Sequence, residues 1–288
     1  MKRKKFVGDV AFKTVMFVIM TLFSLSFAVV LLWMALSSFR ESANFNREPF
    51  KLFEFSNYTF NSWKTAFTYK EGRGGTDMFG MIYNSILLVV IHVALSISIP
   101  AITGYVCAKY SFCGKKFLVN FMIIAMVIPT VGSLSATYKF MNDIKLYDSF
   151  FGIFLMSAGG FGFGFLMFRN FFASIPWEFA ESAFLDGAGH FRVFIQIMYP
   201  QARGIVTSIA IMSFISQWND YFTPYMYLPS HPTVALGVNN IYEKFVKSGQ
   251  QYPVVFAAMT FMSAVILVVY SLFSKTIMES MSAGGLKG

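Results

Sequence analysis

Charge is scarce in this sequence. Asp, Glu, Lys and Arg make up 13% of its 288 residues, about half the share found in a soluble globular domain. So few charges cannot cover a water-facing surface, which argues against an ordinary soluble domain. Cysteine is limited to Cys107 and Cys113, beside a lysine-rich segment. Their spacing implies neither a disulfide nor a metal cluster, and both read as small packing residues. The three histidines, His92, His190 and His231, are scattered, which argues against a histidine-built metal or catalytic centre. No P-loop occurs, so a nucleotide would have to be held by another chain.

What the sequence does contain is apolar. Hydrophobic residues reach 56%, with 36 Phe and 18 Met, and the mean hydropathy is +0.58. A helix crosses the hydrocarbon layer in about 20 apolar residues. Six stretches meet or approach that length: residues 14–39, 78–108, 117–138, 149–168, 204–228 and 253–274. Only the fifth holds an acidic residue, Asp220. The prediction is an all-α membrane protein with six spans in a domain over 14–275, flanked by tails 1–13 and 276–288. The first run is too long for the core of a signal peptide, so it is expected to stay as the first span.

Six spans place both termini on one side. That side carries 13 basic residues against five acidic, and the other side ten against nine. Basic loops stay in the cytoplasm, so both termini are expected there. The net charge of +9 is thereby explained as a topology signal, not as an affinity for nucleic acid. Pro100 and Pro129 fall inside spans 2 and 3, where each removes a backbone hydrogen bond and favours a kink. His92 is the single ionisable residue deep within a span, expected to face another helix. A proton-coupled pump or a membrane-embedded enzyme would show more such groups.

Two connections are too long to be turns. Residues 40–77 are predicted to be external and are rich in aromatic residues. The cytoplasmic loop 170–203 follows span 4. Here Pro176 suits a helix start, Glu178 and Glu181 suit the positive end of a helix dipole, and Gly187 and Gly189 suit its end. A short helix over 176–186 is predicted, then a turn, a second helix from about His190, and a bend at Pro200. Phe179, Phe184, Leu185, Phe191, Val193 and Phe194 are too many large apolar groups for one short helix to bury. They need a docking surface, either under the bundle or on a partner.

The run Glu181-Ser-Ala-Phe-Leu-Asp-Gly-Ala188, followed by Phe194 and Pro200, resembles the EAA motif, E-A-A-x-x-D-G-A, of ABC importer permeases. Asn84-Ser85, Gly104-Tyr105-Val-Cys-Ala-Lys109, Met126-Val-Ile-Pro129, Trp218-Asn219-Asp220 and the closing Ala283-Gly-Gly-Leu-Lys-Gly288 narrow the likeness to the maltose-type carbohydrate importers, the MalG-like member of the pair. Ser182 departs from the motif's middle Ala, and Gly204 stands where many members have a second Pro.

The resemblance implies a type I ABC importer permease fold in a bacterial inner membrane. It implies a second permease subunit, two ABC ATPase subunits that bind ATP and Mg, and an extracytoplasmic solute-binding protein as partners, with a sugar as substrate. It implies no catalytic or metal site in this chain. The residues expected to couple to the ATPase are Glu178, Phe179, Glu181, Ala183, Phe184, Asp186, Gly187 and Ala188. Gly284, Gly285 and Lys287 resemble a tail that reaches towards the ATPase pair. Asn84, Trp218, Asn219 and Tyr221 are candidates to line the sugar path, and residues 228–252 resemble an external loop that probes the binding protein. A permease for a non-sugar solute and a non-transport membrane scaffold remain open as alternatives.

Overall fold

The computed structural model describes residues 2–52, 58–71, 74–127, 132–159, 162–247 and 249–285, with side chains described between residues 12 and 274 of these. All of its regular elements are helical. Among the described residues extended pairing is limited to two isolated bridges, Arg40–Tyr58 and Glu71–Thr76. The chain divides into two compact units, Met1–Tyr69 with Val238–Ala264, and Lys70–Gly237 with Val265–Gly288.

The first unit contains α1 (Lys2–Ser37), α2 (Ser42–Arg47), α3 (Asn61–Thr68) and the opening of α15 (Tyr252–Gly285). Its aromatic residues form two clusters. Trp33 lies 5.4 Å from Phe256 and 5.9 Å from Phe45, and Phe45 lies 5.4 Å from Phe256. Phe39 stacks on Trp63 at 5.5 Å, and the Trp63 indole N–H donates to Ser38 Oγ at 3.0 Å. This explains why the segment after the first span is rich in aromatics.

Arg40 is buried at the end of α2. Its guanidinium donates to the carbonyls of Asn44 at 3.2 Å, Glu48 at 2.9 Å and Pro49 at 3.1 Å. Carbonyls at a helix C-terminus lack internal donors and carry partial negative charge. The cation therefore satisfies both the bonding and the field.

The second unit is built on α4 (Met78–Lys109), α8 (Phe163–Ser174) and α12 (Arg203–Asn219). Helices α4 and α8 approach closely at Gly104. A Cβ there would stand 2.9 Å from Arg169 N and 2.9 Å from Phe168 Cβ. Within lipid there is little hydrophobic drive between helices, so close approach at small residues is what joins them. Pro100, inside α4, has no N–H to give to the carbonyl of Ser96 four residues earlier.

Among the described residues, three helices are long and apolar enough to cross a membrane: Phe12–Ser37, Met78–Lys109 and Tyr252–Ser274. The other three expected spans are each divided between two helices. Residues 117–138 are divided between α5 (Lys115–Val127) and α6 (Ser133–Asp143). Pro129 lies outside the described residues. Residues 149–168 are divided between α7 (Phe150–Ser157) and α8, and Gly159 and Gly162 between them are each about 1 kcal/mol poorer in a helix than Ala. Residues 204–228 are divided between α12 and α13 (Phe222–Tyr227) at Asp220, whose carboxylate accepts the Thr223 N–H at 3.0 Å. Hydropathy records whether a stretch suits lipid, not whether its helix is continuous.

Candidate functional site

The cytoplasmic loop of the sequence reading folds as α9 (Glu178–Leu185), a turn, α10 (His190–Val193), a π-helical turn Phe194–Met198, and α11 (Tyr199–Gln201) before α12. The short helix expected over 176–186 is present with slightly tighter limits, and the second starts at the expected His190. The π turn was not anticipated. Pro200 lies in α11, and the helix breaks just after it at Ala202.

The end of α9 follows from Asp186-Gly187. Gly187 has φ +79°, in the region that an L side chain enters at a cost of about 1–2 kcal/mol. The Ala188 N–H bonds back to Ala183 O at 2.9 Å, and the Gly187 N–H to Phe184 O at 3.0 Å. This pair of bonds is the Schellman arrangement. No atom lies within 4 Å of a Cβ built on Gly187, so backbone conformation, not space, requires glycine. Ser182, the departure from the motif, donates its hydroxyl to Glu178 O at 3.0 Å and leaves the helix intact.

The helix has two unlike faces. Ala180 and Ala183 are buried in a core that includes Ile97, Ala101 and Tyr105 of α4, Phe168 and Phe172 of α8, and Val193, Phe194 and Met198. Phe184 and Ala188 pack against the same core. On the other face Leu185 is 89% exposed and Phe179 52%; Phe191, which is 75% exposed, belongs to α10 and lies beside Ile102 and Val106 of α4. Glu178, Glu181, Asp186 and Gly187 share that exposure. The structure thus divides the candidate coupling residues. Ala183, Phe184 and Ala188 are turned towards the chain's own interior, and Glu178, Phe179, Glu181, Asp186 and Gly187 towards solvent.

Contacts that sequence reasoning did not foresee hold this platform in place. Tyr110, just beyond α4, meets Trp177 edge-on at 5.8 Å and bonds through its hydroxyl to His190 Nδ1 at 2.9 Å. Phe184 lies 4.9 Å from the His190 ring. Lys109 Nζ donates to Ile175 O and stands 5.8 Å from the centre of the Trp177 ring. Tyr105 packs at 4.9 Å on Phe194 and 5.4 Å on Phe172. Burial holds the Tyr199 phenol above its ordinary pKa, in keeping with a neutral packing role. The tyrosines and lysine at the end of α4 and the Trp after Pro176 were visible as residues. Nothing in local spacing says that residue 110 meets residue 190.

The candidates for a sugar path are scattered. Asn84 and Trp218 are 7% and 4% exposed. The Asn84 amide donates to Pro232 O at 3.0 Å, and the neighbouring Ser85 hydroxyl accepts the Val234 N–H at 2.8 Å. Trp218 stacks on Phe214 at 5.9 Å. These two residues brace the fold. Asn219 and Tyr221 are exposed at the end of α12. Gly284 and Gly285 close α15, and Lys287 lies outside the described residues.

Comparison with known proteins gives this arrangement a context. Residues 101–282 match the family described as "Binding-protein-dependent transport system inner membrane component". The diacetylchitobiose uptake system permease protein NgcG of Streptomyces coelicolor is 27% identical over 294 aligned residues, covering 96% of this chain and 90% of the relative. The maltodextrin transport system permease protein MdxG of Bacillus subtilis is also 27% identical, covering 94% and 95%. Among solved structures, a chain of a bacterial ABC transporter involved in the import of the acidic polysaccharide alginate superimposes with a TM-score of 0.77 at 21% identity, covering 93% of this chain and 97% of that one.

Proposed function

The chain belongs to the family of binding-protein-dependent transport system inner membrane components, and from that premise we propose that it carries an oligosaccharide and takes the stroke of its ATPase through the α9 platform. As a member it is a multi-pass inner membrane permease subunit of an ABC importer, not an enzyme. In the proposed reading the chain crosses the membrane six times, three times as single long helices and three times as broken ones. The domain runs over 14–275, and the tails 1–13 and 276–288 lie in the cytoplasm. The support is the asymmetry of Lys and Arg between the two sides.

The observation that carries the coupling role is the outer face of α9 and the turn beyond it. Leu185 and Phe179 are open to water on a platform whose other side is tightly packed. Large apolar residues in that setting mark a protein contact, and Glu178, Glu181 and Asp186 give the contact a negative rim. The partner surface is a cleft on an ABC ATPase with basic edges. Gly284, Gly285 and Lys287 are assigned to the same partner pair. ATP and Mg are held by the ATPase subunits, whose closure moves α9 and, through it, α4 and α8. A second permease and an extracytoplasmic binding protein, met by residues 228–252, complete the complex.

The sugar assignment is supported by the relatives, two of which are named for diacetylchitobiose and maltodextrin. Asn219 and Tyr221 offer an amide and an aromatic ring on the open end of α12.

The test is affinity purification of the tagged chain from gently solubilised native membranes, with mass spectrometry of what stays bound. A second permease and an ABC ATPase are expected. Glu181→Lys should leave the chain in the membrane while lowering ATPase retention and solute-stimulated ATP hydrolysis several-fold. Wild-type retention and uptake in that variant would refute the platform's role.

A further inference from the structure

A cavity of about 350 Å³ lies among α4, the α7–α8 join and α12, within the size range of small-molecule sites, about 300–1,000 Å³. Its lining is unlike the rest of the apolar bundle. His92, Ser96, Ser157, Ser213 and Ser216 bring an imidazole and four hydroxyls to it from three separate parts of the chain. Two hydrogen bonds cross between elements at its wall. His92 Nδ1 pairs with Ser157 Oγ at 3.2 Å, and Ser96 Oγ donates to Ser213 Oγ at 2.8 Å.

Two further features converge on it. Helix α7 ends at Ser157 and α8 begins at Phe163, and Ser157, Gly159, Gly162 and Phe163 at these two helix ends line the cavity. At membrane depth a broken helix is tolerated where its backbone is buried in protein or lines a water-filled space, and transporters place solutes at such breaks. In α4, Pro100 removes the intrahelical partner of the Ser96 carbonyl, and both residues line the cavity.

We propose that this cavity is a subsite for an uncharged, hydroxyl-rich segment of the transported solute, and that it discriminates against acidic sugars. The inference rests on the reading of the chain as an oligosaccharide permease. Each serine hydroxyl both donates and accepts, and a neutral imidazole does the same with its two nitrogens. That matches sugar hydroxyls, which also do both. Phe163 is 59% exposed on the same wall and offers a flat face to the C–H side of a sugar ring. Among the described lining residues there is no Lys, Arg, Asp or Glu. A carboxylate moved into this site would leave water with no counter-charge to meet it. A neutral ring would exchange water hydrogen bonds for serine ones.

The test uses the complete importer, with its second permease, ATPase and binding protein, in proteoliposomes. The probes are maltotriose, arabinotriose and diacetylchitobiose as neutral sugars, and trimannuronate as the acidic one. The expected result is uptake of at least one neutral probe at ten times the trimannuronate rate or more. Ser213→Leu should cut that uptake at least tenfold while the ATPase still co-purifies.

Because Leu in place of Ser can disturb packing, a gentler variant stands beside it. In a Cys113→Ser background, with Cys107 buried, Ser216→Cys should react with a water-soluble methanethiosulfonate, and the transported sugar should slow that reaction at least threefold. Trimannuronate carried as fast as the neutral probes, wild-type uptake by Ser213→Leu, or labelling of Ser216→Cys that ignores the sugar would each overturn the cavity proposal and leave the importer reading intact. Failure of every sugar, with uptake of some other solute class by the same complex, would overturn both.

Discussion

The inner and outer faces of α9 share about two turns of helix and obey opposite rules. On the inner face Ala180 and Ala183 are small because Tyr105, Phe168, Phe172 and Phe194 stand against them. On the outer face Leu185 is large although nothing in the chain covers it. A helix that served only its own fold would have these reversed, with bulk inside and small or charged groups outside. The difference separates what holds the platform from what the platform presents.

Substitutions that exchange the rules test this separation. The largest effect is expected from Ala180→Leu, which forces extra carbons into a filled core. It should cost about 2–3 kcal/mol, read as a lower apparent melting temperature of the solubilised complex and poor recovery from the membrane. Gly187→Ala lies between the faces. It should cost about 1–2 kcal/mol, because the left-handed backbone is strained by any Cβ, again read as a lowered melting temperature. Leu185→Asp belongs to the outer face alone. It should leave thermal stability of the chain within about 0.5 kcal/mol and weaken ATPase retention about tenfold, close to 1.4 kcal/mol, in a titrated pull-down. If Leu185→Asp lowered the melting temperature as Ala180→Leu does, the two faces would not be distinct.

The platform was legible in the sequence because its determinants are local. Pro176, the early glutamates and Gly187 mark the ends of α9 within a dozen residues. The first, second and last spans were legible for a similar reason, since composition over 20 or more residues decides them. The broken spans were not. Gly159, Gly162 and the Asp220 carboxylate interrupt helices without changing average hydropathy.

Long-range pairings were beyond reach altogether. Asn84 is a candidate for the sugar path because its amide can hydrogen-bond a sugar, but its bond within the fold could not be read from the sequence. Its partner, Pro232 O, is 148 positions away. The serines around His92 are unremarkable along the chain and become a polar ring only when α4, α7 and α12 meet.

Helix α4 is fastened at both ends. Near its start, Asn84 and Ser85 grip the segment at Pro232–Val234. At its finish, Gly104, Tyr105 and Lys109 are locked against α8 and the α9 platform. From Asn84 to Lys109 is about 37 Å of rod, at 1.5 Å per residue. A push delivered at one fastening has little slack to be lost in before it reaches the other. The rod has one soft point along that length, Pro100, and it stands beside the cavity. A shove on α9 would therefore travel up a strut that can flex where the solute is proposed to rest, so that stroke and release become one movement of one part.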